Sequence, residues 1–212
     1  MKTYLRKTRK PETNIPLSPK IICSVFILLL GTGLGIFSKW LDNLAISDSI
    51  WWNHILEILD LGNVFSSLAI WLLIALAIAV YSKTPVRAGL NVFLFFAGMC
   101  ISYHLYTIVF SGFDPQNYMK LWYGLTLCSP LAAFICWYGK GKTALSLAID
   151  IAVLGGMILA CFSIGFWYFD LNNIINVFIF VCSVIVLYSV PQQILVGLLG
   201  GVLLAFGIRL VI

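Results

Sequence analysis

The sequence predicts an all-α protein, a polytopic bundle of about seven transmembrane helices with a short interfacial helix in one long loop. Three observations predict it. Of the 212 residues, 61% are hydrophobic and 10% charged, whereas soluble domains carry about half apolar and about a quarter charged residues. The apolar residues fall in separate runs of roughly 16 to 25 positions, close to the about 20 that a helix needs to cross a hydrocarbon core of about 30 Å. Runs such as LAIWLLIALAIAV are apolar at every position, which excludes the alternating strands of an outer-membrane barrel.

Residues 1–20 form a basic tail, and MKTYLRKTRK holds most of the excess behind the formal charge of +5. We read that excess as a topology signal, with no nucleic-acid partner implied. The first span is 21–37, followed by Ser38-Lys39-Trp40 in place of a small-x-small cleavage pattern; it is retained, not removed as a signal peptide. An outer segment of 25 residues, 38–62, comes next, and long loops in compact domains usually carry structure or function. Within it Ile50, Trp51, Ile55, Ile58 and Leu59 recur at helical spacing, and Trp40, Trp51 and Trp52 suit the headgroup region.

Further spans are expected at 63–82, 88–110, 119–138, 144–168, 173–189 and 193–212. The last two are divided by SVPQQ, where Pro191 lacks an amide hydrogen and disfavours helix at Val190. Six spans with one re-entrant segment is the alternative. Short connections place everything from 21 to 212 in one membrane-embedded domain.

Orientation follows from the basic residues, since short cytoplasmic loops carry the Lys and Arg excess. One side holds the tail together with Lys83, Arg87, Lys140 and Lys142; the other has Lys39, Lys120 and Arg209. The N-terminus is therefore expected in the cytoplasm and the protein in a bacterial-type cytoplasmic membrane. The six cysteines all fall in expected spans and read as small apolar residues, not disulfide partners.

In LSLAIDIAVLGG one carboxylate, Asp150, sits inside an apolar run. Ionised there it costs about 2.5–3.5 kcal/mol on insertion scales, so it should be neutral, paired or wet. Arg87 and Asn91, one turn apart near the same depth, are its expected partners. Small residues repeat every four positions at Ala148, Ala152, Gly156 and Ala160, and at Gly197, Gly201 and Ala205, with Gly31 and Gly35, and Ala75 and Ala79, extending the pattern. Helix backbones approach closely along such ridges; packing within the chain is the first reading, docking of another membrane subunit the second.

A cluster toward the other leaflet contains Tyr103, His104, Tyr106, Tyr118, Trp122, Tyr123, Trp167 and Tyr168. With Trp51 and Trp52 above it, this cluster suits a planar or cationic small molecule held by stacking or cation–π attraction, or else forms an ordinary aromatic belt. Pro130, after Ser129, frees a backbone carbonyl and predicts a kink. There is no HExxH, GxSxG, Walker A or EF-hand spacing, so no metal, cofactor or catalytic group is expected.

Size, basic N-terminus, helical bundle and a substantial outer loop after the first span together resemble the substrate-binding S subunits of energy-coupling-factor transporters. The resemblance covers layout and carries no motif, and an apparent seventh span departs from the usual six. It implies an ATPase module and a membrane partner subunit, with a small-residue ridge as the docking face. The leading expectation is binding or transport of a small molecule through an outward-facing aromatic cavity. A non-transporting accessory or scaffold protein is the second reading, and a lipid-directed enzyme the third.

Overall fold

Pro16 lies just before the first helix, α1 (Leu17–Asp42), as expected of a residue that begins helices but cannot continue them. The computed structural model describes residues 7–12, 16–44, 60–165, 168–171 and 173–211. Helix α1 continues to Asp42, past the predicted end at residue 37, because the charge of Lys39 is met inside the protein: its ammonium lies 3.9 Å from Asp42 and only 9% of the side chain is exposed. Residues 38–42, expected in the outer loop, are therefore helical. The interfacial helix expected within that loop, with Trp51 and Trp52, lies outside the described residues.

The expected span 63–82 is two helices, α2 (Leu61–Ser66) and α3 (Leu68–Tyr81), divided at the extended residue Ser67. Helix α4 (Pro85–Tyr106) ends in a π turn, Thr107–Ser111, and Gly112 follows with φ +71°, a left-handed conformation that glycine adopts without strain. Helix α5 (Gln116–Cys136) passes into a 3-10 turn, Trp137–Lys140.

Helix α6 (Ala144–Cys161) is capped by Thr143 and stops seven residues short of the predicted end at 168. The chain there turns into a small antiparallel hairpin, β1 (Ser163–Ile164) with β2 (Phe169–Asp170). Helices α7 (Ile174–Leu187) and α8 (Pro191–Val211) follow, separated as the Pro191 reading expected.

The protein is thus an all-α bundle in which, among the described residues, five helices are long and apolar enough to cross a membrane. Helices α3 and α7 have 14 residues each, about 21 Å of rise, so the expected seven full-length spans are five long helices and two short ones.

The chain divides into two compact units. One comprises residues 1–12, 67–88 and 133–212. Its core is Leu76, Val80, Leu154, Leu187 and Ile194. Helices α6 and α8 approach backbone to backbone: a methyl added at Gly201 would stand 3.0 Å from the amide nitrogen of Gly155, and one at Gly155 3.2 Å from the Gly201 carbonyl. Gly197 and Gly201 thus face the buried Asp150 and Leu154, and Ala205 is fully buried on the same helix.

The ridge Ala148, Ala152 and Gly156 does not serve this packing. All three residues are exposed, and nothing lies within 4 Å of a methyl built at Gly156. The packed glycine is Gly155, one position and about 100° away. Ala160 is half-buried.

The other unit comprises residues 13–66 and 89–132. There α1 crosses α4 with little side chain between them. Methyls at Gly31 and Gly35 would run into the carbonyls of Phe95 and Met99, and one at Gly98 would stand 2.6 Å from the Leu28 carbonyl. The opposite face of α1 presents Ile22, Phe26 and Leu29, the apolar surface a bilayer requires. In α5, Pro130 leaves the Thr126 carbonyl without its helical donor, and the Ser129 hydroxyl supplies one at 2.8 Å.

Candidate functional site

Two polar places stand out, one in each unit. In the first, Asp150 is fully buried on the inner face of α6. Its Oδ2 accepts a hydrogen bond from Gln193 Nε2 at 2.7 Å, and that amide also reaches the Gly139 carbonyl at 3.4 Å. Gln193 replaces the expected partners Arg87 and Asn91. Asn91 belongs to the other unit, where its Oδ1 accepts from the Ser24 hydroxyl at 3.0 Å, and the backbone amide of Arg87 is held by Thr84 Oγ1 at the start of α4. Among the described residues Asp150 Oδ1 has no hydrogen-bond partner. A methyl at Gly139 would stand 2.9 Å from it, so the missing side chain there is what makes room for the carboxyl.

Beside this place lies a contact the sequence reading missed. Residues 7–12 of the basic tail fold onto the same unit. The Arg9 guanidinium donates to the carbonyls of Trp137 at 2.6 Å and Val80 at 2.9 Å and lies over the Trp137 indole. Lys83 pairs with Glu12 at 2.9 Å, and the Thr143 hydroxyl donates to the buried Thr8. Arg9 thus supplies donors to carbonyls at two helix ends, which lack them.

The second place is the Asp42 end of the other unit. The Tyr103 hydroxyl donates to Asp42 Oδ2 at 2.9 Å, and the Lys39 ammonium lies 5.6 Å from the ring centres of both Tyr103 and Phe113. His104 bridges two helices: Nε2 is 2.8 Å from Asp114 Oδ1 and Nδ1 is 2.9 Å from the Tyr123 hydroxyl. Gln116 also donates to Asp114, and these two donors, His104 first, hold the Asp114 carboxyl below its ordinary range.

Tyr118 connects the rings, with centroids 6.0 Å from Tyr103 and 6.2 Å from Trp122. Of the expected cluster, Tyr103, His104, Tyr118, Trp122 and Tyr123 come together here. Tyr106 packs on Phe110 instead, Tyr168 lies in the hairpin segment of the other unit, and Trp167 is outside the described residues. Lys39, Asp42 and Asp114 were not singled out. Two acids and a base beside the aromatic run were the available signal.

This architecture defines the class: a multi-pass helical membrane protein. No protein-family model, curated protein or solved structure matches the chain.

Proposed function

We propose that the protein binds a planar, cationic small molecule at the Asp42 end of residues 13–66 and 89–132 and serves its passage through the membrane. The observation that supports this reading is the tying of aromatic side chains to carboxylates, Tyr103 directly to Asp42 and Tyr123 through His104 to Asp114. Belt residues meet the headgroup region one by one and need no such links. The carboxylates of Asp42 and Asp114 stand at the rings, and the partly exposed Tyr118 offers a ring face to a cation. The reading assigns binding, not catalysis.

The layout shared with S subunits of energy-coupling-factor transporters would make the chain the binding component of a larger importer, with an ATPase module and a membrane partner. A second reading, assembly as an accessory subunit, is favoured by the open small-residue face of Ala148, Ala152 and Gly156.

The test is tryptophan fluorescence of the full chain in nanodiscs titrated with aromatic ammonium compounds, alongside native mass spectrometry for a retained molecule. Saturable quenching lost in Trp122→Phe and weakened about 3- to 30-fold in Tyr118→Leu is expected, matching a cation–π contribution of about 0.5–2 kcal/mol. Quenching that neither variant alters would sink the proposal, as would co-purification of a membrane partner with no ligand bound.

A further inference from the structure

We propose that Asp150 is a proton-binding site, reached from the Thr8 end of its unit along the hydroxyls of Thr143 and Ser146. This site is independent of the small-molecule reading, which concerns the other unit.

The carboxyl is completely buried and one of its oxygens has no partner among the described residues. An ionised carboxylate offers about four acceptor sites, and here a single donor, the Gln193 amide, serves them. An unpaired charge in so dry a place is strongly disfavoured, whereas a proton on Oδ1 makes the group neutral.

Among the described residues no neighbouring charge takes the place of that proton. The 3-10 turn contributes Lys140, whose ammonium lies 4.3 Å from the ring centre of Tyr81. From the tail comes Arg9, engaged by the Val80 and Trp137 carbonyls, while Lys83 pairs with Glu12. Among the described residues the titratable group near enough to interact with Asp150 is the Cys136 thiol at the end of α5; α7 presents Leu187 beside Gly139, and α8 presents Gln193 and Gly197. An alkali cation would have to exchange its water shell for several oxygens, and Oδ1 instead faces the Cα of Gly139.

The route lies on one face of α6. Ser146 is fully buried, one turn before Asp150 and about 6 Å along the axis. Its hydroxyl is 3.4 Å from that of Thr143, which donates to Thr8 at 3.3 Å. The transfer is a simple exchange: the O–H bond at Oδ1 breaks, the proton leaves by way of these hydroxyls to water, and the carboxylate keeps the electron pair.

Infrared difference spectroscopy of the full chain in nanodiscs tests the site. A protonated-carboxyl C=O band is expected at neutral pH, shifting in D2O and absent in Asp150→Asn. Ser146→Ala should slow its deuterium exchange at least about tenfold while leaving the band in place. Should Asp150→Asn not fold, Gln193→Leu serves, since loss of the donor to Oδ2 must move the band. A spectrum unchanged by either variant overturns the site, and a band that sodium abolishes overturns the proton in favour of an alkali cation. Unaltered exchange in Ser146→Ala overturns the route.

Discussion

The guanidinium of Arg9 lies 4.2 Å from the ring centre of Trp137 and donates a hydrogen bond to the carbonyl of the same residue. One side chain thereby fastens the tail to the end of α5 and, through Val80, to the end of α3. Burial lowers the Arg9 pKa below its ordinary value, yet an arginine in a protein remains a cation.

Arg9→Lys should therefore be far from neutral. Lysine cannot make both hydrogen bonds while stacking on the indole, and hydrogen bonds to charged groups contribute about 1.5–3 kcal/mol each. We expect a loss of about 2 kcal/mol in detergent-monitored unfolding, with faster tryptic cleavage after Lys7, beside the buried Thr8. A melting curve and digestion rate equal to those of the parent would show that the strap bears no load.

Acid should weaken the Asp42 end through Asp114. Its carboxyl titrates below the ordinary value of 3.8 because His104 and Gln116 donate to it. A depressed folded pKa means that the unfolded chain takes up the proton first. The stabilisation is therefore complete above the ordinary carboxylate range and is lost as pH falls through the folded value. Melting temperatures from pH 5 to 3 should fall less steeply in Asp114→Asn than in the parent; parallel curves would refute the linkage.

The membrane class was legible because composition and run length follow directly from what a bilayer accepts. Asp150 was legible for the same reason, as a carboxylate in an apolar run. Its partner was not. Gln193 follows a proline that reads as a break, yet Pro191 starts α8 and puts Gln193 in the first turn, so only the packing of α8 on α6 brings the two together. Lys39 read as the end of a span because the sequence does not say that Asp42 and two rings surround it. The tail read as topology alone because nothing local marks Arg9 among its basic neighbours. Small-residue spacing marked α6 as closely packed but chose the wrong face.

Paired glycine substitutions separate the packed faces from the open ones. Gly31→Ala and Gly155→Ala place a methyl against the carbonyls of Phe95 and Gly201, and overpacking of this kind costs about 1–3 kcal/mol. Gly33→Ala and Gly156→Ala meet nothing within 4 Å and should be neutral or stabilising by up to about 1 kcal/mol, through helix propensity. Steric trapping or urea unfolding in bicelles gives the order; equal effects at the two kinds of position would show that the close helix crossings do not exist.

Lys39 and Asp42 provide opposite levers on the proposed binding site. Asp42 accepts from Tyr103 at 2.9 Å and from Ser66 at 3.3 Å, so Lys39→Met leaves it with two donors and removes a positive charge from beside the rings. A cationic probe should then bind more tightly, by roughly threefold to tenfold for a charge change worth about 1 kcal/mol. Asp42→Asn keeps the shape, removes the negative charge and should weaken the same probe by a comparable factor. Raising salt should shrink both effects only in part, since screening over about 10 Å at 0.1 M acts fully on exposed charges and the Lys39 and Asp42 side chains are 9% and 23% exposed. Titration of both variants at two ionic strengths makes the comparison. Affinity changes of the same sign in Lys39→Met and Asp42→Asn would mean that the pair acts on fold alone and that the probe does not sense its charge.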